Sequence, residues 1–233
     1  MIVTWVSKAG GRPVNGDAIG KTRKNGIVCV VVADGLGGET ASEMAVNTVL
    51  SEFENSPAFS VERIKGYINS ANDKIVECAM TDPELLHMSS TITVLLIKGK
   101  KAIWANVGDS RLYRFYDGMI AEVSEDHLMA FLDFVNGSIE YGDIRTDSNR
   151  NKLTSALGVS MDGINVSDII PLDSQTSFLI CTDGLWEYIT EDEMEDMLNK
   201  SCDARQWLQS MIELREDKAR EKSDNFSAVV VAM

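Results

Sequence analysis

Ile27-Val28-Cys29-Val30-Val31-Val32-Ala33-Asp34-Gly35 is the stretch on which the reading of this chain turns. Seven apolar residues, most of them β-branched, run without a polar interruption and stop at an aspartate and a glycine. A run this short is a strand rather than a helix, and its lack of alternation means that both faces are covered. Similar runs occupy Ile92 to Ile97, Ala102 to Val107, Phe178 to Cys181 and Ala228 to Ala232.

Helical periodicity fills the intervals. Thr40 to Phe53 places Ala41, Met44, Ala45, Thr48, Val49 and Phe53 on one stripe, and Thr40 with Glu43 predicts a capping box. Ser60 to Met80 is a second amphipathic helix, and Thr190 with Glu193 opens a third. Asp203 to Arg215 carries Trp207, Leu208, Met211 and Ile212 on one side. These Met and Trp stripes read as core. Covered strands between amphipathic helices make a layered α/β arrangement, and 233 residues suit one such domain spanning 1–233. The polar segment at about 124–150 breaks the pattern, yet it holds Phe131, Leu132 and Phe134. It reads as a partly ordered excursion from the core, of the kind that serves a site.

Acidic residues outnumber basic ones 36 to 22, for a formal charge of −14, which argues against nucleic acid or an anionic membrane as a partner. No apolar run reaches the roughly 18 residues of a membrane span, and Met1 to Gly11 lacks the basic lead and apolar block of a signal peptide. The expected location is the cytoplasm. Cysteines 29, 78, 181 and 202 form no CxxC pair, and with two histidines the chain is all but without a Cys/His zinc site. Cys29 and Cys181, inside apolar runs, read as buried free thiols.

The chemistry lies in the aspartates beside the strands. Asp34 and Asp183 each follow an apolar run and precede a glycine; Asp109 follows Val107-Gly108. Asp224-Asn225 stands before the last run, and Asp17 sits in the turn-prone Asn15-Gly16-Asp17. Any one Asp-Gly reads as a turn or helix cap. Together they read otherwise, because strands of one sheet bring their ends together and converging carboxylates repel unless a cation lies between them. Oxygen ligands without Cys or His suit Mg²⁺ or Mn²⁺. Such sites often hold two metals that clamp a phosphoryl group, so spacing alone points to a two-metal phosphohydrolase.

These residues also resemble a known family. Arg12-Pro13-Val14-Asn15-Gly16-Asp17, Ala33-Asp34-Gly35-Leu36-Gly37-Gly38, Val107-Gly108-Asp109-Ser110-Arg111, Cys181-Thr182-Asp183-Gly184-Leu185 and Ser223-Asp224-Asn225 look like the ordered motifs of 2C-type protein phosphatases of the bacterial branch. Asp126-His127-Leu128 and Leu153-Thr154-Ser155-Ala156-Leu157-Gly158 match the segments that bracket that family's flap, which would fall at about 124–150. The resemblance implies a four-layer αββα sandwich, two central antiparallel β-sheets flanked by helices on both outer faces. It implies hydrolysis of phosphoserine and phosphothreonine in proteins by a two-metal-activated hydroxide attacking phosphorus in line. Carried over by position, Asp17, Asp34, the Gly35 carbonyl, Asp183 and Asp224 would bind two Mn²⁺ or Mg²⁺ ions. Asp109 would share a third ion with Asp183. Arg12 would hold the substrate phosphate, a role its planar fork suits. The catalytic set so implied is Arg12, Asp34 and Asp183. Leu36 stands where many eukaryotic members carry a histidine, and Gly16 where they carry an acidic residue. The resemblance also implies phosphorylated protein substrates, a cognate serine/threonine kinase and a monomer.

Other residues read blandly. His127 is expected to fix the base of the flap by hydrogen bonds, His87 to lie in a loop, and Arg111 and Arg114 to make structural ion pairs with the acidic surface. Ser110 has no His/Asp partner for a triad. Two competing readings stay open: a metal-binding regulatory module of the same fold without catalysis, and a phosphatase acting on regulator proteins. Against the first stand Arg12 and the complete aspartate set; against the second stands the flap, which those relatives usually lack.

Overall fold

The computed structural model describes residues 1–36, 39–82, 85–219 and 223–233. The chain opens with β1 (Ile2–Lys8), β2 (Asp17–Lys24) and β3 (Ile27–Leu36), then α1 (Glu39–Asn55) and α2 (Val61–Thr81). Next come β4 (Ser89–Ser90), β5 (Ile92–Lys98), β6 (Lys101–Val107), β7 (Arg111–Tyr116) and β8 (Met119–Val123). α3 (Met129–Val135) and a 3-10 helix (Tyr141–Arg145) precede β9 (Asn165–Val166), β10 (Ile170–Pro171) and β11 (Thr176–Cys181). The chain closes with α4 (Asp183–Trp186), α5 (Glu191–Lys200), α6 (Ala204–Lys218) and β12 (Phe226–Ala232).

Two antiparallel sheets result. One runs β1-β12-β11-β7-β8; the other runs β10-β6-β5-β3-β2, with β4 on β3 and β9 on β6. The unbroken run of β3 is divided by the pleat. Val28, Val30 and Val32 face the other sheet together with Phe178, Ile180, Val229 and Val231. Ile27, Cys29, Val31 and Ala33 face α1 and α2 through Val49, Phe53, Ile64 and Ile68. β12 divides the same way, sending Ala228 and Val230 toward Trp207 and Met211 of α6. Apolar residues at every position are needed because each face is buried, each large side chain being worth roughly 1.5–3 kcal/mol. The four layers are the αββα sandwich that the resemblance implied.

Ser60 and Asp203 cap α2 and α6, and Thr190 with Glu193 forms the capping box of α5. Thr40 does not open α1: the helix already includes Glu39, so Thr40 lies inside it. The Gly37-Gly38 end of the second motif lies outside the described residues. Asp34-Gly35 is no turn, since β3 continues through both to Leu36. β1, β2 and β8 escape a search for apolar runs because they are mostly half-buried or exposed strands. The excursion at 124–150 is ordered around its own aromatic side chains. Phe134 packs against Phe131 and Tyr141, with ring centroids 5.9 and 5.5 Å away, and Ile144 is buried beside them.

Cys29 and Cys181 are buried free thiols, as expected, and burial pushes both upward from the ordinary thiol range. Among the described residues no helix is long and apolar enough to cross a membrane.

Candidate active site

The sheet register builds the first pair of carboxylates. Asp17 begins β2 directly opposite Asp34 of β3, and residues facing each other across two strands carry neighbouring side chains. The backbone around Asp34 is pinned. Its N–H donates to Thr91 Oγ1 at 2.9 Å, and its carbonyl accepts from Ser90 Oγ at 2.9 Å and the Thr91 N–H at 2.9 Å.

The other sheet supplies Asp183 and Asp224. Asp183 is the first residue of α4, immediately after β11, and Asp224 stands just before β12. Thr182 ties the two sheets together: its hydroxyl donates to Asp17 Oδ2 at 2.9 Å and accepts from the Ser227 N–H at 2.9 Å. Asp109 lies where the chain crosses from β6 in one sheet to β7 in the other. Its carbonyl accepts from Trp186 Nε1 at 2.9 Å.

Close backbone packing fixes the distance between α4 and the segment that leads into β12. A Cβ on Gly184 would fall 1.8 Å from the carbonyl oxygen of Asn225. Gly184→Ala is expected to cost about 1–3 kcal/mol, since only a backbone shift relieves the clash. Thermal unfolding should read this as a fall in Tm of roughly 2–4 °C per kcal/mol; an unchanged Tm would mean that the two are loosely held. Arg215, 2% exposed, donates to the Gly184 carbonyl at 2.9 Å and to the Asp224 carbonyl at 2.7 Å. Asn225 closes the site toward the N-terminus, accepting from the Gly16 N–H at 2.8 Å and donating to the carbonyls of Ala9 and Val14.

Sequence reasoning missed Arg215. The signal was there: it continues the buried stripe Ala204, Trp207, Leu208, Met211, Ile212 of α6, and an arginine on such a stripe must have internal acceptors.

Asp34, Asp183 and Asp224 line a cleft of about 600 Å³ with Arg12, Gly16, Gly35 and Leu36. Asp17 and Asp109 lie behind that surface, 7% and 6% exposed. Arg12 stands at the rim with its guanidinium forked onto Asp224, Nε to Oδ1 at 3.0 Å and Nη2 to Oδ2 at 2.8 Å. Burial raises Asp17 from its ordinary 3.8 to about 6 despite hydrogen bonds from Ser227 and Thr182. Burial and then the charges of Asp17, Asp109 and Asp224 hold Asp34 well above the carboxylate range. Asp183 is raised by burial and by Asp34, Glu187, Asp224 and Asp17, and Asp109 by burial and by Asp183 and Asp126.

A divalent cation fits this donor set. Asp17 Oδ1 is buried with no hydrogen-bond partner, and Asp34 stands opposite Asp17 in the strand register with Asp17, Asp109 and Asp224 acting on it as like charges. Converging carboxylates need a proton or a cation between them. No three Asp, Glu, His or Cys side chains among the described residues stand already arranged as a closed cage; Asp224 is turned to Arg12 and Asp17 Oδ2 to Thr182.

The remaining residues fall in place around this centre. His127 Nδ1 accepts from the Gly108 N–H at 2.9 Å and the His127 main-chain N–H donates to the Gly108 carbonyl at 3.0 Å, anchoring the base of the 124–150 segment. Arg114 pairs with Glu122 at 3.0 Å. Arg111 does not meet the acidic surface: it is buried and paired with the equally buried Asp126 at 2.6 Å.

A family model described as protein phosphatase 2C matches residues 9–224. The serine/threonine phosphatase stp of Listeria welshimeri is 32% identical over 178 residues, covering 72% of this chain and 71% of that protein. A putative protein phosphatase 2C-type of Streptococcus pyogenes is 27% identical over 87% of this chain and 86% of its own. The crystal structure of a serine/threonine phosphatase from Staphylococcus aureus superposes with a TM-score of 0.90, over 99% of this chain and 94% of that one, at 24% identity. That last likeness is one of fold.

Proposed function

This chain belongs to the protein phosphatase 2C family, and from that membership we propose that it hydrolyses phosphoserine and phosphothreonine in proteins with two divalent cations held in the aspartate cleft. The observation that carries the reading is the convergence of Asp17, Asp34, Asp183 and Asp224 from two sheets beneath an exposed arginine at the rim of one cleft. Asp17, Asp34, the Gly35 carbonyl, Asp183 and Asp224 would hold two Mn²⁺ or Mg²⁺ ions, with Asp109 and Asp183 holding a third. When bound, such ions would supply charge neutralisation at the phosphoryl oxygens and activation of the attacking water.

The chain's own groups do the rest. Arg12 is free enough to swing, with its side chain 55% exposed, and it offers a phosphate the same two-pronged donor that it offers Asp224. Thr182 holds the Asp17 carboxylate, and Arg215 and Asn225 hold the backbone beside Asp224 and Gly16, so the strand ends that carry the aspartates keep their places while Arg12 leaves Asp224 for a phosphate. The domain works as one unit over 1–233, with 124–150 as its flap, in the cytoplasm and as a monomer. Its substrates are phosphorylated proteins, and a cognate serine/threonine kinase opposes it.

Metal-stripped protein should release phosphate from a phosphothreonine peptide only after Mn²⁺ or Mg²⁺ is added back. No release despite cation binding seen by calorimetry would overturn the catalytic reading and leave a silent regulatory module.

A further inference from the structure

Arg145 closes the 3-10 helix at the end of the 124–150 segment, and its guanidinium reaches two places at once. It donates to the main-chain carbonyl of Trp186 and to the carboxylate of Glu191. Trp186 is the last residue of α4, the one-turn helix that begins with Asp183, and Glu191 is the first residue of α5. One side chain thus ties the segment to both helices that follow the Asp183 strand. It is 10% exposed, so the tie is shielded from solvent.

Trp186 does more than accept that bond. Its indole N–H holds the Asp109 carbonyl at 2.9 Å, while the Arg111 guanidinium lies 3.6 Å from the ring centroid. Arg111 in turn grips Asp126 at the start of the segment and reaches Glu191 at 3.5 Å. Glu191 also accepts from the hydroxyls of Tyr113 at 3.2 Å and Tyr141 at 3.5 Å. Opposite ends of the segment therefore converge on one tryptophan that touches the loop of Asp109 and ends the helix of Asp183. A lysine at 145 would offer one nitrogen where the arginine fork reaches its two acceptors through separate nitrogens, Nη1 to Trp186 and Nη2 to Glu191.

We propose that Arg145 is a positioning residue: by docking the 124–150 segment onto Trp186 and Glu191, it sets the placement of Asp109 and Asp183 and so couples the segment's seating to the competence of the cleft. The proposal rests on the phosphatase reading for its catalytic consequence, whereas the coupling itself is a property of the chain. Undocking the segment releases the Trp186 carbonyl, lets the indole tilt, and loosens its hold on the Asp109 carbonyl.

The test uses the full chain labelled with 5-fluorotryptophan, with the Trp186 resonance assigned by Trp186→Phe. Arg145→Met is expected to move that resonance and leave those of Trp5, Trp104 and Trp207 in place. It should weaken Mg²⁺ binding by calorimetry about tenfold and lower kcat on a phosphothreonine peptide about tenfold with KM nearly unchanged, the low end of what an outer partner costs a metal site. Arg145→Lys should fall between Arg145→Met and the parent on every readout; it also carries the test if Arg145→Met does not fold. An unmoved Trp186 resonance with unchanged Mg²⁺ affinity would overturn the proposal, even if Tm fell, because the tie would then only hold the segment down. Absence of hydrolysis in the parent protein would sink the phosphatase reading, and the resonance and calorimetry would still decide the coupling.

Discussion

Replacing Asp183 with asparagine is expected to lower metal-dependent phosphate release by about 10³-fold or more, roughly 4 kcal/mol of barrier, and at the same time to raise the Tm of the metal-free protein. Both effects come from one placement. Asp183 opens α4 with Asp34, Asp224 and Asp17 acting on it as like charges, and burial opposes its ionisation before any of them. The asparagine keeps the shape and removes a charge, so a cation loses a ligand while the remaining carboxylates lose a repulsive neighbour. Relief of about 1 kcal/mol would appear as a gain of roughly 2–4 °C in a chain of this size. Calorimetric melting of the metal-stripped proteins, beside the peptide assay, checks both arms. An active variant would remove Asp183 from the site; an inactive variant with a lowered Tm would show that its carboxylate stabilises the fold rather than straining it.

Arg111→Met should be the most damaging of the remaining substitutions to stability. Arg111 and Asp126 are 1% and 2% exposed and meet through Nε and Nη2, with Tyr113 and Glu191 as further acceptors. Removing one partner of a buried pair strands the other, at a cost of about 3–5 kcal/mol. Burial already raises the Asp126 carboxyl, and Arg111 is the chief group pulling it back down. Without Arg111 its folded pKa rises further. A carboxyl whose folded pKa lies above its unfolded value is destabilising when ionised, so the deficit should be fully present at high pH. It should shrink as pH falls through the folded pKa toward the unfolded one. Urea denaturation of both proteins at pH 8 and pH 5.5 checks the sign: a deficit that grows on acidification would mean that Asp126 is not the stranded group. The double variant Arg111→Met/Asp126→Asn should recover part of the loss.

Much of the architecture was legible because it is written in composition at short range. A strand buried on both faces must be largely apolar, and β3, β5, β6, β11 and β12 each carry an apolar run, with Thr93, Asn106 and Ser227 as buried polar exceptions. A helix against a sheet must repeat its apolar residues, and α1, α2 and α6 do. Strands with an exposed face carry a weaker signal, so β1, β2 and β8 were hidden among polar residues. β7 was hidden for the opposite reason. It is buried, but Arg111 within it reads as surface until its internal partner is known.

By itself, then, the sequence determined the kind of layer each segment could join and the chemistry at the strand ends: carboxylates beside glycines, one forked arginine, no soft metal ligand. Local pattern decides those matters, since it depends on residues a few positions apart. Only the tertiary structure decided which groups meet. Asp17 is set against Asp34 by strand register, and Gly184 against Asn225 by the packing of α4 on the segment before β12. Arg215 reaches Gly184 and Asp224, and Arg145 reaches Trp186 and Glu191, across 31, 9, 41 and 46 positions respectively. Such contacts exist only once the layers have closed, because the burial that makes a charge or a carbonyl need its partner is itself a product of folding.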